Sequence, residues 1–221
     1  MEEIIKDIRL RLRKAMNGVV SASMRQKGIE YKLNFGVAIP EIKTIAADYT
    51  PDAELAKWLW AQDVREHKIL ATLLYPHEAF TEEEAERWVE EIRYQEIAEQ
   101  FCANLVQFLS FALSLAERWI EDERENTQVS GFLLYARLYT QGNTSLSSEK
   151  LLTEAKRVMD KGISRPQRAA LLALKRYGRL GTTEAKQALD SIKDYQNAES
   201  KEKQEFYNDL KFEFEYINNN V

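Results

Sequence analysis

Apolar residues recur every three or four positions along almost the whole chain, and short polar breaks interrupt them. The first such stripe begins at Ile4, continues to Leu12, and ends at Asn17-Gly18. About a dozen similar segments follow over residues 4–217, and none shows the period of two that a half-buried strand requires. The pattern predicts an all-α protein.

Residues that favour helix starts precede several of these stripes. Thr50 stands directly before Pro51, Asp63 precedes an apolar segment, and Thr81 lies three positions before Glu84. A hydroxyl or carboxylate oxygen can accept hydrogen bonds from the free N–H groups of a first helical turn. We therefore expect helix caps at Thr50, Asp63 and Thr81.

A single amphipathic helix cannot bury its own apolar stripe, so consecutive helices must stack in pairs. The pattern predicts a helical-repeat α-α superhelix, a solenoid whose concave surface binds a partner. Only 8 glycines and 4 prolines occur in 221 residues, which argues against linkers. We expect one domain over residues 1–217, with residues 198–217 as a terminal covering helix and residues 218–221 as a frayed tail.

Composition indicates an ordinary soluble protein, with 44% apolar and 30% charged residues. The amphipathic, charged N-terminus is unlike a secretory signal, and the longest apolar stretch, residues 105–116, is too short to cross a bilayer. Cys102 is the only cysteine, which excludes an intrachain disulfide and a cysteine-rich zinc site. We expect a cytoplasmic protein with no membrane contact.

The net charge of −5 is unevenly distributed along the chain. Residues 1–43 carry +4 and residues 131–193 carry +7, whereas residues 51–126 carry −11 and residues 194–221 carry −4. A basic block can bind an anionic partner even when the whole molecule is acidic. The alternative is that these lysines and arginines only solvate helix faces.

The histidines and tryptophans favour structural roles. His67 follows Asp63 by four positions, which is more typical of a solvated pair or a cap interaction than of a metal site. We expect no metal and no cofactor. Stacking on a nucleobase is open to the tryptophans, but core packing is the favoured role for all four: Trp58, Trp60, Trp88 and Trp119.

Several motifs together resemble one known family. The junction Asn34-Phe35-Gly36-Val37 precedes Ile39-Pro40, and Asp63-Val64-Arg65-Glu66 follows it. Further along come Trp119-Ile120 with a helix over residues 126–139, and a helix over residues 165–177. In order and spacing these resemble the DNA alkylation repair protein family over approximately residues 1–193. That family includes the HEAT-like-repeat alkylpurine DNA glycosylases of the AlkD type, so the resemblance implies a HEAT-like fold and binding to double-stranded DNA.

The catalytic motif of that family is not preserved. Active members open a helix with Trp-Asp-x-Val-Asp, whose last Asp stabilises positive charge on the deoxyribose as the base leaves. In this chain the motif falls on Tyr94-Gln95-Glu96-Ile97-Ala98, so Ala98 occupies the acid position. Glu96 and Glu99 are rotated from Ala98 by roughly 100–200° around a helix. An expected arginine is missing at residues 126–130, and an expected aromatic is missing at residues 163–166.

The resemblance therefore implies DNA binding through a basic concave surface without efficient glycosylase chemistry. Basic residues cluster in and before one helix: Lys161, Arg165, Arg168, Lys175, Arg176 and Arg179. Arg165, Arg168 and Lys175 or Arg176 cannot all share one face exactly, but a broad phosphate-facing surface would accommodate several of them. The residues expected at the DNA are Tyr94, Lys161, Arg165, Arg168 and Lys175.

Two alternatives stay open. One is a protein-interaction solenoid whose acidic block meets a basic protein partner. The other is an active glycosylase that uses Glu96 or Glu99. In each case we expect a monomer.

Overall fold

The structure is a computed structural model that describes residues 1–162 and 164–218. Within these ranges the chain forms thirteen α-helices and three short 3₁₀ helices, with no strand, and this confirms the all-α prediction. The nearest approach to a sheet is an isolated bridge between Leu33 and Val64. Ile163 and most of the predicted frayed tail lie outside the described residues. No described helix is both long enough and apolar enough to cross a membrane.

The helices group into two compact units, Met1–Arg87 and Trp88–Val221. The prediction of one continuous repeat domain stays a prediction. The first unit contains α1 (Glu2–Lys14), α2 (Gly18–Gln26), α3 (Ile39–Ala47), α4 (Ala53–Trp60), α5 (Arg65–Leu74), a 3₁₀ helix (His77–Ala79) and most of α6 (Glu82–Glu91).

One of the three predicted caps in the first unit is confirmed. Thr81 Oγ1 accepts from the Glu84 N–H at 3.2 Å, and the Glu84 carboxylate accepts from the Thr81 N–H at 3.2 Å. The Thr50 prediction is wrong, because Asp52 caps α4 by accepting from the Leu55 N–H at 2.7 Å. An ionised carboxylate is the stronger acceptor at the positive end of the helix dipole.

The Asp63 prediction is also wrong, because Val64 precedes α5 without a side-chain cap. Asp63 Oδ2 instead accepts from the backbone N–H of Lys32 at 3.0 Å. Its partner lies far back in the sequence, in the segment that precedes α3. Asp63 therefore ties two distant segments together.

A buried ion pair organises the junction between α2 and α3. Arg65 and Glu66 are 2% and 0% exposed, with the guanidinium 2.8 Å from the carboxylate. Arg65 also donates to the Val37 carbonyl at 2.8 Å, and Glu66 accepts from the Phe35 N–H at 3.1 Å. Gly36 has a φ of +70°, and a Cβ there would overlap the backbone of α2. The motifs that carried the family resemblance in this half of the chain are therefore packed against each other.

His67 does not form the solvated pair that its spacing from Asp63 predicts. The side chain is 1% exposed, and neither ring nitrogen has a hydrogen-bond partner. The imidazole ring lies against Trp58, with ring centroids 5.8 Å apart. The guanidinium of Arg9 lies over the Trp58 ring, 5.3 Å from its centroid. Burial lowers the pKa of His67 to about 4, with the nearby charge of Arg9 as a smaller cause.

The second unit contains α7 (Gln95–Asn104), α8 (Ala112–Trp119), α9 (Glu125–Thr140), α10 (Ser148–Lys161), α11 (Ser164–Gly178), α12 (Thr182–Ser191) and α13 (Lys201–Asn218), with 3₁₀ helices at Val106–Phe108 and Lys193–Asn197. Helices α7, α9 and α11 pack side by side in one layer. Helices α8, α10 and α12 pack against that layer. Neighbours bury α9 on nearly every side, so that even polar residues of its first half, Thr127, Gln128 and Ser130, are buried.

Aromatic rings fill the core beside α7, as predicted for the tryptophans. Trp88 and Trp119 are each 1% exposed and lie on either side of Phe101, with centroid distances of 6.0 and 6.2 Å. Trp60 is likewise buried in the first unit, and Trp58 is half-buried. Cys102 is fully buried, and burial raises the pKa of its thiol well above the ordinary range. These side chains contribute packing.

The predicted terminal helix is present as α13, which packs on α11 and α12. Leu210 and Phe214 are its buried anchors. Phe214 lies directly over Gly178 at the end of α11, where a Cβ would overlap the ring. The absence of a side chain at Gly178 therefore creates the seat of the terminal helix.

Candidate nucleic-acid interface

One side of α11 carries a continuous basic stripe, which we call the α11 stripe. Its members follow Arg165 by three, ten, eleven and fourteen positions, which at about 100° per residue places all of them within roughly 100° of arc: Arg165, Arg168, Lys175, Arg176 and Arg179. The opposite side holds buried residues such as Ala170 and Leu174. The arc is broad, and Arg179 lies one position beyond the end of α11, so these residues form one basic surface without sharing exactly one face.

The N-terminal end of the α11 stripe lies beside the start of α7. Arg165 Nε donates to a Glu125 oxygen at 2.7 Å, and Arg165 Nη1 lies 3.5 Å from the Arg93 carbonyl oxygen. Arg93 in turn lies over the ring of Tyr94, 5.8 Å from its centroid. Tyr94 is half-buried at the residue preceding α7. Two predicted DNA-binding residues, Arg165 and Tyr94, are thus brought together, although 71 positions apart in the sequence.

The C-terminal end of the α11 stripe is paired with acids of α13. Lys175 Nζ lies 2.7 Å from an Asp209 oxygen. Arg179 Nε donates to a Glu213 oxygen at 2.7 Å. Carboxylates therefore already pair with Lys175, a predicted DNA-binding residue, and with Arg179.

The middle of the α11 stripe is left without carboxylate partners. Arg168 is exposed and Arg176 is half-buried, and neither forms an ion pair with any described residue. Lys161 is exposed at the end of α10, just before Gly162, whose φ of +71° ends that helix. Arg168 and Lys161 are thus accessible to an anion in solution.

A cavity of about 290 Å³ opens where α7, α9 and α11 meet. Its polar lining includes Glu99 from α7, Arg137 from α9 and Arg176 from α11. Leu133 and Leu172 contribute apolar walls. Arg137, like Arg176, makes no ion pair among the described residues. The cavity thus presents two cations that form no ion pair among the described residues, one carboxylate and an apolar surface.

Helix α7 turns Ala98 and the two neighbouring acids to different sides. Ala98, in the position of the family's catalytic acid, is 1% exposed and faces the core beside Phe101 and Cys102. Glu99 is exposed and lines the cavity, and it accepts from Gln95 Nε2 at 2.9 Å. Glu96 is half-buried on the same outer side of α7 and is absent from the cavity lining. Of the two alternative acids, only Glu99 lines the cavity.

The residues in place of the family's missing arginine have structural roles. Gln128 is buried and donates to the Ile120 carbonyl at 2.8 Å, and Ser130 donates to the Asn126 carbonyl at 2.8 Å. The described residues contain no group of three or more His, Cys, Asp or Glu side chains arranged for a metal ion. The chemistry available at this surface is therefore electrostatic and hydrogen-bonding.

Sequence reasoning missed Arg137 and did not select Arg176 for the interface. The eleven-residue spacing from Arg165 to Arg176 was a usable signal, because it equals about three helical turns. Arg137 gives a weaker signal, as the one charged residue in the apolar second half of α9.

A comparison with known protein families places these features in a wider context. The model of the family described as DNA alkylation repair enzyme matches residues 8–204. The chain belongs to the DNA alkylation repair family. No curated protein matches the sequence at a significant level.

A solved structure supports the repeat architecture. It belongs to a protein from "a new family of proteins related to the HEAT-like repeat DNA glycosylases with affinity for branched DNA structures". That chain is 19% identical, the TM-score is 0.75, and the match covers 86% of this chain and 82% of that one. At this level of identity the likeness shows the fold, a HEAT-like arrangement of helices.

Proposed function

We propose that this member of the DNA alkylation repair family binds DNA through the layer formed by α7, α9 and α11, without efficient base excision. The observation that carries the proposal is the α11 stripe. Five cations lie along one side of α11 and just beyond its C-terminal end, a basic surface suited to phosphates, and Arg168 and Arg176 form no ion pair among the described residues. The described affinity of the similar structure for branched DNA is consistent with this proposal.

Contacts of this kind position DNA without reading its sequence. Guanidinium groups hydrogen-bond phosphate oxygens in two-pronged geometry, and phosphates are identical at every step. We therefore expect weak dependence on sequence and strong dependence on salt. With about three phosphates neutralised, the logarithm of the association constant should fall with the logarithm of salt concentration with a slope near −3.

The test is a titration of labelled duplex DNA followed by fluorescence anisotropy at several salt concentrations. Arg165→Glu with Arg168→Glu should abolish binding, because each phosphate contact becomes a repulsion. The matched control is Lys186→Glu with Lys193→Glu, which makes the same charge change on exposed residues of α12 and the 3₁₀ helix that follows it. Equal loss in both variants, or no binding by the wild type at low salt, would contradict the proposal.

A protein-interaction role is the second candidate. The first unit exposes apolar side chains on α1 and α2, with Leu10 50% and Val19 81% exposed. Such residues are enriched where proteins meet. A wild type that binds no DNA but is captured specifically by a protein partner would favour this role, and Val19→Ser should weaken the capture if the partner contacts this apolar surface.

A further inference from the structure

The cavity between α7, α9 and α11 has a composition that the duplex-binding role does not explain. Arg137 and Arg176 come from different helices and line the same cavity. Elsewhere on the α11 stripe, Arg165 pairs with Glu125 and Arg179 pairs with Glu213. Two guanidinium groups without carboxylate partners lining one concavity form a site for an oxyanion, most simply a phosphate.

The size of the cavity limits what can enter. At about 290 Å³ it lies at the lower end of small-molecule pockets, which span about 300–1,000 Å³. It can hold one nucleotide, whereas a base-paired duplex is far too wide. Leu133 and Leu172 can contact the apolar faces of a sugar or base. The lining contains no aromatic ring, so selection among bases by stacking would be weak.

Glu99 supplies a second chemical requirement. A carboxylate beside two arginines disfavours a ligand that is anionic throughout, but it accepts hydrogen bonds from amino and imino groups. Bases carry such donors on their Watson–Crick edges, where pairing engages them in a duplex and frees them in an unpaired strand. The lining therefore suits a ligand that carries both a phosphate and N–H donors.

We infer that this cavity binds one unpaired nucleotide of a branched DNA strand, with its phosphate between Arg137 and Arg176 and its base edge toward Glu99. The inference rests on the proposed function. Arg176 lies about 16 Å along α11 from Arg165. A duplex held at the N-terminal end of the α11 stripe would thus have its diverging strand near the cavity.

The experiment compares two probes at equal salt: a continuous duplex and the same duplex with a short single-stranded flap. Wild type should bind the flap substrate roughly tenfold more tightly. Arg137→Ala with Arg176→Ala should remove that preference, which is read as the ratio of the two affinities because Arg176 also belongs to the α11 stripe and its loss weakens duplex binding too. Arg137→Ala alone, on α9 and outside the stripe, should lower the preference while changing duplex affinity less than about threefold. Arg165→Ala with Arg168→Ala should weaken both probes alike.

Two further variants guard against a misfolded protein. Arg137→Lys with Arg176→Lys keeps both charges and loses the planar fork, so it should retain part of the preference. Glu99→Gln keeps an acceptor and should bind the flap at least as well as wild type. Circular dichroism and thermal melts check that every variant folds.

The outcomes separate the two proposals. Suppose that the Arg165 and Arg168 variant loses duplex binding but the Arg137 and Arg176 variant keeps its full preference for the flap. This result would refute nucleotide binding in the cavity and leave the DNA-binding proposal intact. Equal wild-type affinity for both probes would also refute nucleotide binding in the cavity. No wild-type binding to either probe would overturn DNA binding itself and the cavity with it.

Discussion

The carboxylate of Glu66 accepts a hydrogen bond from the backbone N–H of Val37 at 3.2 Å. The same side chain accepts from the Phe35 N–H and pairs with Arg65, and all of these residues are buried. Two backbone donors and one cation thus converge on a single carboxylate. The segment before α3 has no helix or sheet of its own to satisfy these donors, so Glu66 replaces a ladder of backbone hydrogen bonds.

Glu66→Gln should destabilise the protein by about 3–5 kcal/mol, because it leaves the buried Arg65 without its counter-charge. The measurement is urea unfolding of the full chain followed by circular dichroism. Glu54→Gln is the control, since Glu54 forms an exposed pair with Lys57 and its loss should change stability by less than about 1 kcal/mol. Similar unfolding midpoints for the two variants would show that the buried network is not stabilising.

The same contacts show how far sequence reasoning reached. Helix positions were predictable because the apolar period of about 3.6 residues is a local property. The family was recognisable at Asn34-Phe35-Gly36-Val37 and Asp63-Val64-Arg65-Glu66, but the reason for those residues was not. Their partners lie about thirty positions away, and no local pattern reveals such a contact.

The corrections at Asp63 and His67 have the same origin. Asp63 stands where a helix cap is expected, yet its carboxylate accepts a hydrogen bond from the distant backbone N–H of Lys32. His67 looks solvent-facing from its spacing, but Trp58 covers it. In the candidate interface, spacing along the sequence is enough to predict which side of α11 carries the basic residues. The acids that neutralise Lys175 and Arg179 could not, because they belong to a separate helix.

Stability should depend on pH through His67. Its pKa is about 4 in the folded protein and about 6.5 in an unfolded chain, so between these values the unfolded state binds the extra proton. The free energy of unfolding should therefore decrease as pH falls from about 6.5 toward 4, by up to about 1.4 kcal/mol per pH unit.

His67→Leu should flatten this dependence, and at pH 7 it should leave stability unchanged or slightly increased, since it removes two unpaired polar atoms. Urea titrations at a series of pH values supply the free energies. His77→Gln replaces the other histidine and should keep the wild-type slope. A slope that survives in His67→Leu would assign the effect to other groups.

Alkylated purines should not be excised at a useful rate. Stabilising an oxocarbenium-like sugar requires an anion already placed beside it, and Ala98 provides none. The protein is incubated with alkylated duplex DNA, and the released bases are measured by chromatography. The amount released should equal the uncatalysed background, while an active glycosylase, the positive control, releases far more. Ala98→Asp should destabilise the protein without restoring activity, because it introduces an unpaired charge into the core. Robust release that disappears in Glu99→Gln would instead establish Glu99 as a substitute acid.

Removing the acids that pair with the α11 stripe should strengthen DNA binding. Asp209→Asn with Glu213→Gln frees Lys175 and Arg179, and at low salt the affinity for duplex should rise roughly two- to tenfold with a steeper salt dependence. Glu202→Gln with Glu205→Gln makes the same charge change on the same helix, where neither acid forms an ion pair among the described residues. A comparable rise in that control would attribute the gain to overall charge.

The pairing of α13 with α11 also gives the middle and the C-terminal end of the α11 stripe different salt dependence. A phosphate that reaches Lys175 or Arg179 must displace a carboxylate. The cation released from that phosphate is then offset by a cation attracted to the freed carboxylate, so the net release of counterions is small. At Arg168 and Arg176 no protein anion departs, and the release of counterions to solution drives association. Added salt should therefore weaken contacts in the middle of α11 more than contacts at its C-terminal end, so the footprint on DNA should shift along the helix as ionic strength rises.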